Sequence, residues 1–219
     1  MAKINKFIAF SGIDSAGKST QIMNIVKYFI GHGEKTKIIW SRGGYTPIIN
    51  TLKSIIRKIT PNSIPEPGKS KYRDKTFNRK WVRILWLNVA LIDLIVFYCL
   101  YFRWLKYLGY IVIADRYLWD TYIDFELKFK KDSFENTLLW KTLVFLSPSP
   151  DSSIILIIPI EESIRRSKLK KEPFSEDFKQ RKKRLELYHD LIKKGRWDNV
   201  IDGSGPINEV WYNIKNKLE

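Results

Sequence analysis

Residues 10–22 read FSGIDSAGKSTQI, and Gly12-Ile13-Asp14-Ser15-Ala16-Gly17-Lys18-Ser19 within them fits the spacing G-x-x-x-x-G-K-[ST]. Glycines reach backbone conformations closed to other residues, so successive amides can turn inward around phosphate oxygens. A helix beginning directly after such a loop favours an anion at its first turn. The flanks agree with that geometry: INKFIAFS (4–11) reads as a strand and residues 20–30 show helical spacing. The stretch therefore predicts a nucleotide phosphate site built by Gly12, Ser15, Ala16, Gly17, Lys18, Ser19 and Thr20. In it Lys18 reaches the outer phosphates and the Ser19 hydroxyl ligates Mg²⁺. Asp14 lies inside the loop, where a carboxylate beside phosphates is unfavourable unless it binds an acceptor hydroxyl or pairs with an arginine.

Outward from the loop, KTKIIW (35–40), YIVIADRY (110–117), SSIILIIPI (152–160) and NVIDGSG (199–205) read as four more strands. Gly31 and Gly33 stop the first helix, RGGYTP (42–47) is turn-rich, 48–59 looks helical, and 60–75 reads as a mobile loop. A long helix is expected over 78–107 with Gly109 as its stop, and a final helix over 207–218. Apolar strands alternating with helices imply a parallel sheet covered on both faces and joined by right-handed crossovers. The 219 residues suit one such α/β domain over 1–219, with a basic lid at about 165–177.

The strand-like segment at the chain's midpoint, IVIAD (111–115), ends four apolar residues on an acid. A buried strand delivering Asp115 to the sheet edge beside the phosphate loop is what a Mg²⁺-organising carboxylate needs. Arg116 follows, a planar guanidinium suited to clamp an acceptor phosphate or the transferring group. The loop's variable positions carry no cation, so Arg165 or Arg166 from the basic segment is expected to supply the missing charge.

Net charge is +16, and it is clustered: 165–184 holds ten basic and three acidic residues, 69–83 seven and one. Such clusters fit an anion site closed by basic segments, and equally a solvated basic surface. Cys99 is the sole cysteine, which excludes an intrachain disulfide framework and a Cys-based zinc site; His32 and His189 are far apart in sequence. The amino-terminal residues do not read as a signal peptide, and a cytoplasmic protein is expected. Residues 84–102, ILWLNVALIDLIVFYCLYF, are long and apolar enough to span a bilayer. Asp93 would then lie mid-span, and Lys18 and Asp115 would fall on opposite sides, so the segment is read as a buried helix, apolar all round.

The loop FSGIDSAGKSTQ, the ADRY at 114–117, the basic segment, RLELYHDL (184–191) and VIDGSGPINEVWYNI (200–214) together resemble the thymidylate kinase family, from about residue 5 to the end. The resemblance implies the three-layer P-loop fold with a five-stranded parallel sheet, often a homodimer, using ATP and Mg²⁺. It implies that Asp14 contacts the acceptor's sugar hydroxyl and that Asp115 and Arg116 serve metal and acceptor phosphate. Arg165 and Arg166 fall where lid arginines are found, and GSGP after Asp202 where the adenine of ATP is held. Arg42 and Tyr117 join the expected acceptor contacts. Three stretches depart from the family pattern: SRGGYTP (41–47) lacks the family's Glu-Pro, NVALIDLIV (88–96) lacks an arginine, and LWDTYIDFELKF (118–129) replaces a Ser-Ser-x-Ala-Tyr-Gln-like segment.

The expected reaction is transfer of the ATP γ-phosphoryl to a nucleoside monophosphate, most readily thymidylate, with no stable nucleic-acid or membrane partner. A kinase for a nucleoside or another metabolite, and a non-kinase NTP-binding module, remain as alternatives. A GTPase is disfavoured, because NKLE (216–219) comes too late for a guanine-reading motif and ends in Glu.

Overall fold

Strand β1 (Phe7–Gly12) is buried along its whole length, and its neighbours β3 (Ile111–Asp115) and β4 (Ser152–Ile157) nearly so. Unbroken apolar runs of this kind suit the middle of a parallel sheet covered on both faces. The computed structural model describes residues 6–41, 80–129, 132–170 and 176–218. Arg42 and the turn, helix and loop expected across 42–79 lie outside them. The five strands, with β2 (Thr36–Trp40) and β5 (Asn199–Asp202), are all parallel in the order β2-β3-β1-β4-β5. β2 and β5 are the edges, and their exposed Ile38, Trp40 and Val200 reflect it. This is the expected α/β P-loop fold with five strands. Register places Phe10 of β1 opposite Asp115 of β3, so the two strands end side by side.

The chain divides into two compact units. The first holds the sheet and α1 (Lys18–Gly31), which turns Ile22, Ile25, Val26 and Phe29 inward at helical spacing. It also holds α6 (Ile160–Leu169), α7 (Phe178–Lys193) and α8 (Ile207–Lys215). The Asp177 side chain caps α7 by accepting from the Gln180 amide at 2.8 Å.

The second unit holds α2 (Lys80–Val96) and α5 (Leu138–Leu146). It also takes the second half of α4 (Leu118–Phe129). Phe125, Phe134 and Trp140 pack edge-to-face, with Phe134 and Trp140 centroids 5.1 Å apart. Arg83 grips Asp132 with two bonds, 2.9 and 3.1 Å. A π-helical turn, Phe97–Tyr101, continues α2 into α3 (Phe102–Tyr107), with Phe97 and Tyr101 stacked at 5.3 Å.

The long helix begins near the expected position but is not buried all round. Trp81, Leu85, Val89, Ile92, Val96 and Leu100 are exposed at spacings of three and four, a single face. Only 44% of its most apolar stretch is buried. Composition alone hid the split, because apolar residues occupy both faces.

Candidate active site

The phosphate loop begins where β1 presses against β4. A Cβ on Gly12 (φ 140°) would lie 2.6 Å from the Leu156 carbonyl oxygen, so no larger residue fits without displacing a strand. At the other end, the Lys18 ammonium folds back to donate to the carbonyls of Gly12 (3.0 Å) and Ile13 (2.8 Å). Burial, helped by nearby Arg116, brings Lys18 down to about 8, while Asp115, Asp14 and Asp120 pull the other way. Ser19 and Thr20 stand exposed on the first turn of α1.

Asp115 sits at the tip of β3. Its Oδ1 is buried and has no hydrogen-bond partner among the described residues. Burial pushes this carboxyl up; Lys18 and Arg116 hold it down. A sequestered carboxylate oxygen with no donor, beside a phosphate loop and close enough to sense Lys18, fits a cation ligand. Asp115 therefore fits a Mg²⁺ ligand by its burial and its unmet oxygen.

Arg116 is 5% exposed and adopts the left-handed backbone region, φ 73°, rare for a non-glycine residue. That backbone is pinned on both sides. Its amide donates to Phe10 O at 2.9 Å, and its carbonyl accepts from the Ser41 hydroxyl at 2.9 Å. Its Nη2 pairs with Asp14 Oδ1 at 2.5 Å. Asp14 thus takes the arginine-pairing role in this structure, and its carbonyl accepts from Ser163 Oγ at 2.7 Å. Tyr117 is buried with its ring edge-on to Phe7, 4.9 Å between centroids.

The two basic-segment arginines differ. Arg165 projects outward, its side chain 63% exposed, and pairs with Glu162. Arg166 pairs with the same Glu162 but also donates to Gly203 O (3.0 Å) and Ser204 O (3.1 Å). The 203–205 turn itself lies on the phosphate loop: a Cβ on Gly203 would sit 2.9 Å from Ala16 O. Arg166, the phosphate loop and the turn after Asp202 are thereby brought together.

Sequence reasoning passed over several groups. Asp120 and Tyr188 are buried behind Arg116. Arg181 and Arg184, read within a basic surface run, are 1% and 2% exposed. Arg184 makes a two-pronged pair with Glu176, with Nη2 to Oε1 at 2.6 Å and Nε to Oε2 at 2.9 Å. Arg181 donates to Ser163 Oγ at 2.6 Å. The available signal was spacing: Arg181, Arg184, Tyr188 and Leu191 share one helix face, and all four are buried.

Fold and loop together define a P-loop α/β protein of kinase-like architecture. No protein-family model matches the chain. Its similarity to curated proteins named thymidylate kinase is nonetheless spread over almost the entire length. It is 28% identical over 222 aligned positions to the thymidylate kinase of Thermosipho melanesiensis, covering 97% of each. It is 27% identical over 207 positions to probable thymidylate kinase 1 of Saccharolobus solfataricus, covering 94% of this chain and 93% of that one. The thymidylate kinase of Sulfurihydrogenibium sp. is 27% identical over 216 positions, covering 97% and 96%.

Proposed function

We propose that the protein is a nucleoside monophosphate kinase that moves the γ-phosphoryl of ATP to thymidine monophosphate. The observation that carries this reading is the cluster at the paired ends of β1 and β3, Lys18, Asp14, Asp115 and Arg116. The thymidylate kinase names of the relatives supply the acceptor.

Phosphoryl transfer demands little covalent chemistry and much positioning and charge neutralisation. Lys18 leaves the Gly12 and Ile13 carbonyls for the outer phosphates of ATP, whose charge favours its ammonium form. Ser19 and Asp115 would hold Mg²⁺, which when bound would neutralise phosphate charge. Arg116 turns its outer edge from Asp14 to the acceptor phosphate, and the freed Asp14 takes the sugar hydroxyl. Arg166 sits against the turn that receives adenine, and Arg165 adds charge from the lid side. The enzyme works as a soluble homodimer through the exposed face of α2, which monomeric proteins of this size rarely leave open.

A kinase for another acceptor is the second reading, favoured by the absence of any arginine between Arg83 and Arg103 on the long helix. The test is a panel of nucleosides and nucleoside monophosphates with ATP and Mg²⁺, followed by ADP release. Thymidine monophosphate is expected to turn over best, with Lys18→Ala lowering kcat by about 10²–10³-fold. Turnover of unphosphorylated acceptors alone would overturn the monophosphate reading.

A further inference from the structure

The Arg116 guanidinium is held along two different edges. Its outer nitrogen Nη2 meets Asp14, whose side chain is 25% exposed. Its inner nitrogen Nη1 lies 3.3 Å from the Tyr188 hydroxyl and 3.7 Å from Asp120 Oδ1, groups with almost no solvent exposure. The Tyr188 hydroxyl has one proton to give. Its shortest contact is 2.5 Å to Asp120 Oδ1, so the proton points there and an oxygen lone pair is left for Arg116. The Gly12 carbonyl lies 3.3 Å from the same hydroxyl. Asp120 Oδ2 accepts from Ser11 Oγ at 2.6 Å and from the Tyr117 amide at 3.0 Å. The chain Arg116–Tyr188–Asp120–Ser11 therefore ends on β1, next to the first glycine of the phosphate loop. Burial, and Asp120 beside it, keep the Tyr188 hydroxyl well above the usual phenol range, so it stays a donor.

We propose that Tyr188 and Asp120 are positioning residues for phosphoryl transfer. They hold the inner edge of the Arg116 guanidinium so that its outer edge, once released from Asp14, is already aimed at the acceptor phosphate. Both are sealed from the space a substrate could enter, so they act through Arg116. A guanidinium anchored only by Asp14 would lose its aim when Asp14 turns to the acceptor, and small misplacements of this kind are costly in transfer reactions. Asp120 lies in LWDTYIDFELKF, where this chain departs from the family pattern, while Tyr188 lies in RLELYHDL, which follows it.

The inference rests on the kinase reading above, and its test is arranged to fail separately. Tyr188→Phe keeps the ring packed against Trp197, 5.7 Å away, and removes only the hydroxyl. With ATP and thymidine monophosphate as the probe pair, kcat is expected to fall by about 10–100-fold, with KM for ATP changed less than about twofold. In an Arg116→Lys background the same substitution should cost less than about threefold, because the group it acts through is gone. A merely structural role would lower the melting temperature and cost the same factor in both backgrounds, which overturns the proposal. Asp120→Asn, similar in shape, is the second variant should Tyr188→Phe fold poorly, and the same pattern is expected. Should the parent enzyme phosphorylate no nucleoside monophosphate, the kinase reading fails while crystals of the two variants still decide the positioning role. A displaced or split Arg116 guanidinium supports it, and an unmoved one overturns it.

Discussion

Lys18 combines two conditions that pull apart: it is buried, and among the described residues it donates only to neutral carbonyls. Its pKa of about 8 lies below the ordinary lysine value of 10.5. The unfolded chain binds more protons than the free folded protein between those values, so Lys18's contribution to stability rises with pH from about 8 to 10.5. Triphosphate reverses the depression. Nucleotide binding at pH 8 is expected to take up about half a proton at this group, read by calorimetry in two buffers of different ionisation enthalpy. ATP affinity should weaken as pH rises past that point. Asp115 makes the complementary case, because its buried Oδ1 has no donor among the described residues. Asp115→Asn is expected to lower kcat by about 10²-fold and to raise the Mg²⁺ concentration needed for half-maximal rate. Its thermal midpoint should not drop, since a carboxylate disfavoured by burial has been replaced by a neutral amide. A lower midpoint with unchanged Mg²⁺ dependence would assign Asp115 to the fold alone.

At the level of elements, the turn after β5 and the loop after β1 approach so closely that one added methyl group does not fit. Gly203→Ala brings a carbon within 2.9 Å of Ala16 O and 3.1 Å of Ile158 Cγ2. The expected outcome is destabilisation by about 1–3 kcal/mol, measured by denaturant melts, together with a raised KM for ATP. Gly205→Ala, whose nearest neighbour would be the mobile end of Glu209 at 3.5 Å, serves as the milder comparison. The open face of α2 carries its own expectation. Val89→Arg and Leu85→Arg should convert a dimer to a monomer by light scattering, with little change in the melting temperature of the monomer. A parent protein that is already monomeric at micromolar concentration refutes that assembly.

Across the whole molecule, the parts legible in sequence are those with one strong local cause. β1, β3 and β4 were legible as short, unbroken apolar runs, and the phosphate loop as a glycine spacing with a lysine. Strand order was not, because it depends on pairings between distant segments. α4 and α5 went unassigned: LWDTYIDFELKF and LLWKTLVFL mix aromatic and polar residues without a clean period. The buried arginines of α7 were obscured by the exposed lysines around them, since Lys179, Lys182 and Lys183 make the run look like a solvated face. Asp120 had no signal of its own and Tyr188 showed only its place on the buried face of α7, because their role comes from meeting at Arg116 across the 68 positions that separate them. The abutment of Gly203 on Ala16 carries a last consequence. If the turn after β5 receives the base as proposed, base pocket and phosphate cradle are a single casting, so variation that retunes which purine is accepted will also disturb the grip on its triphosphate tail. A lineage of such proteins should then change donor preference rarely, and through paired substitutions on both turns.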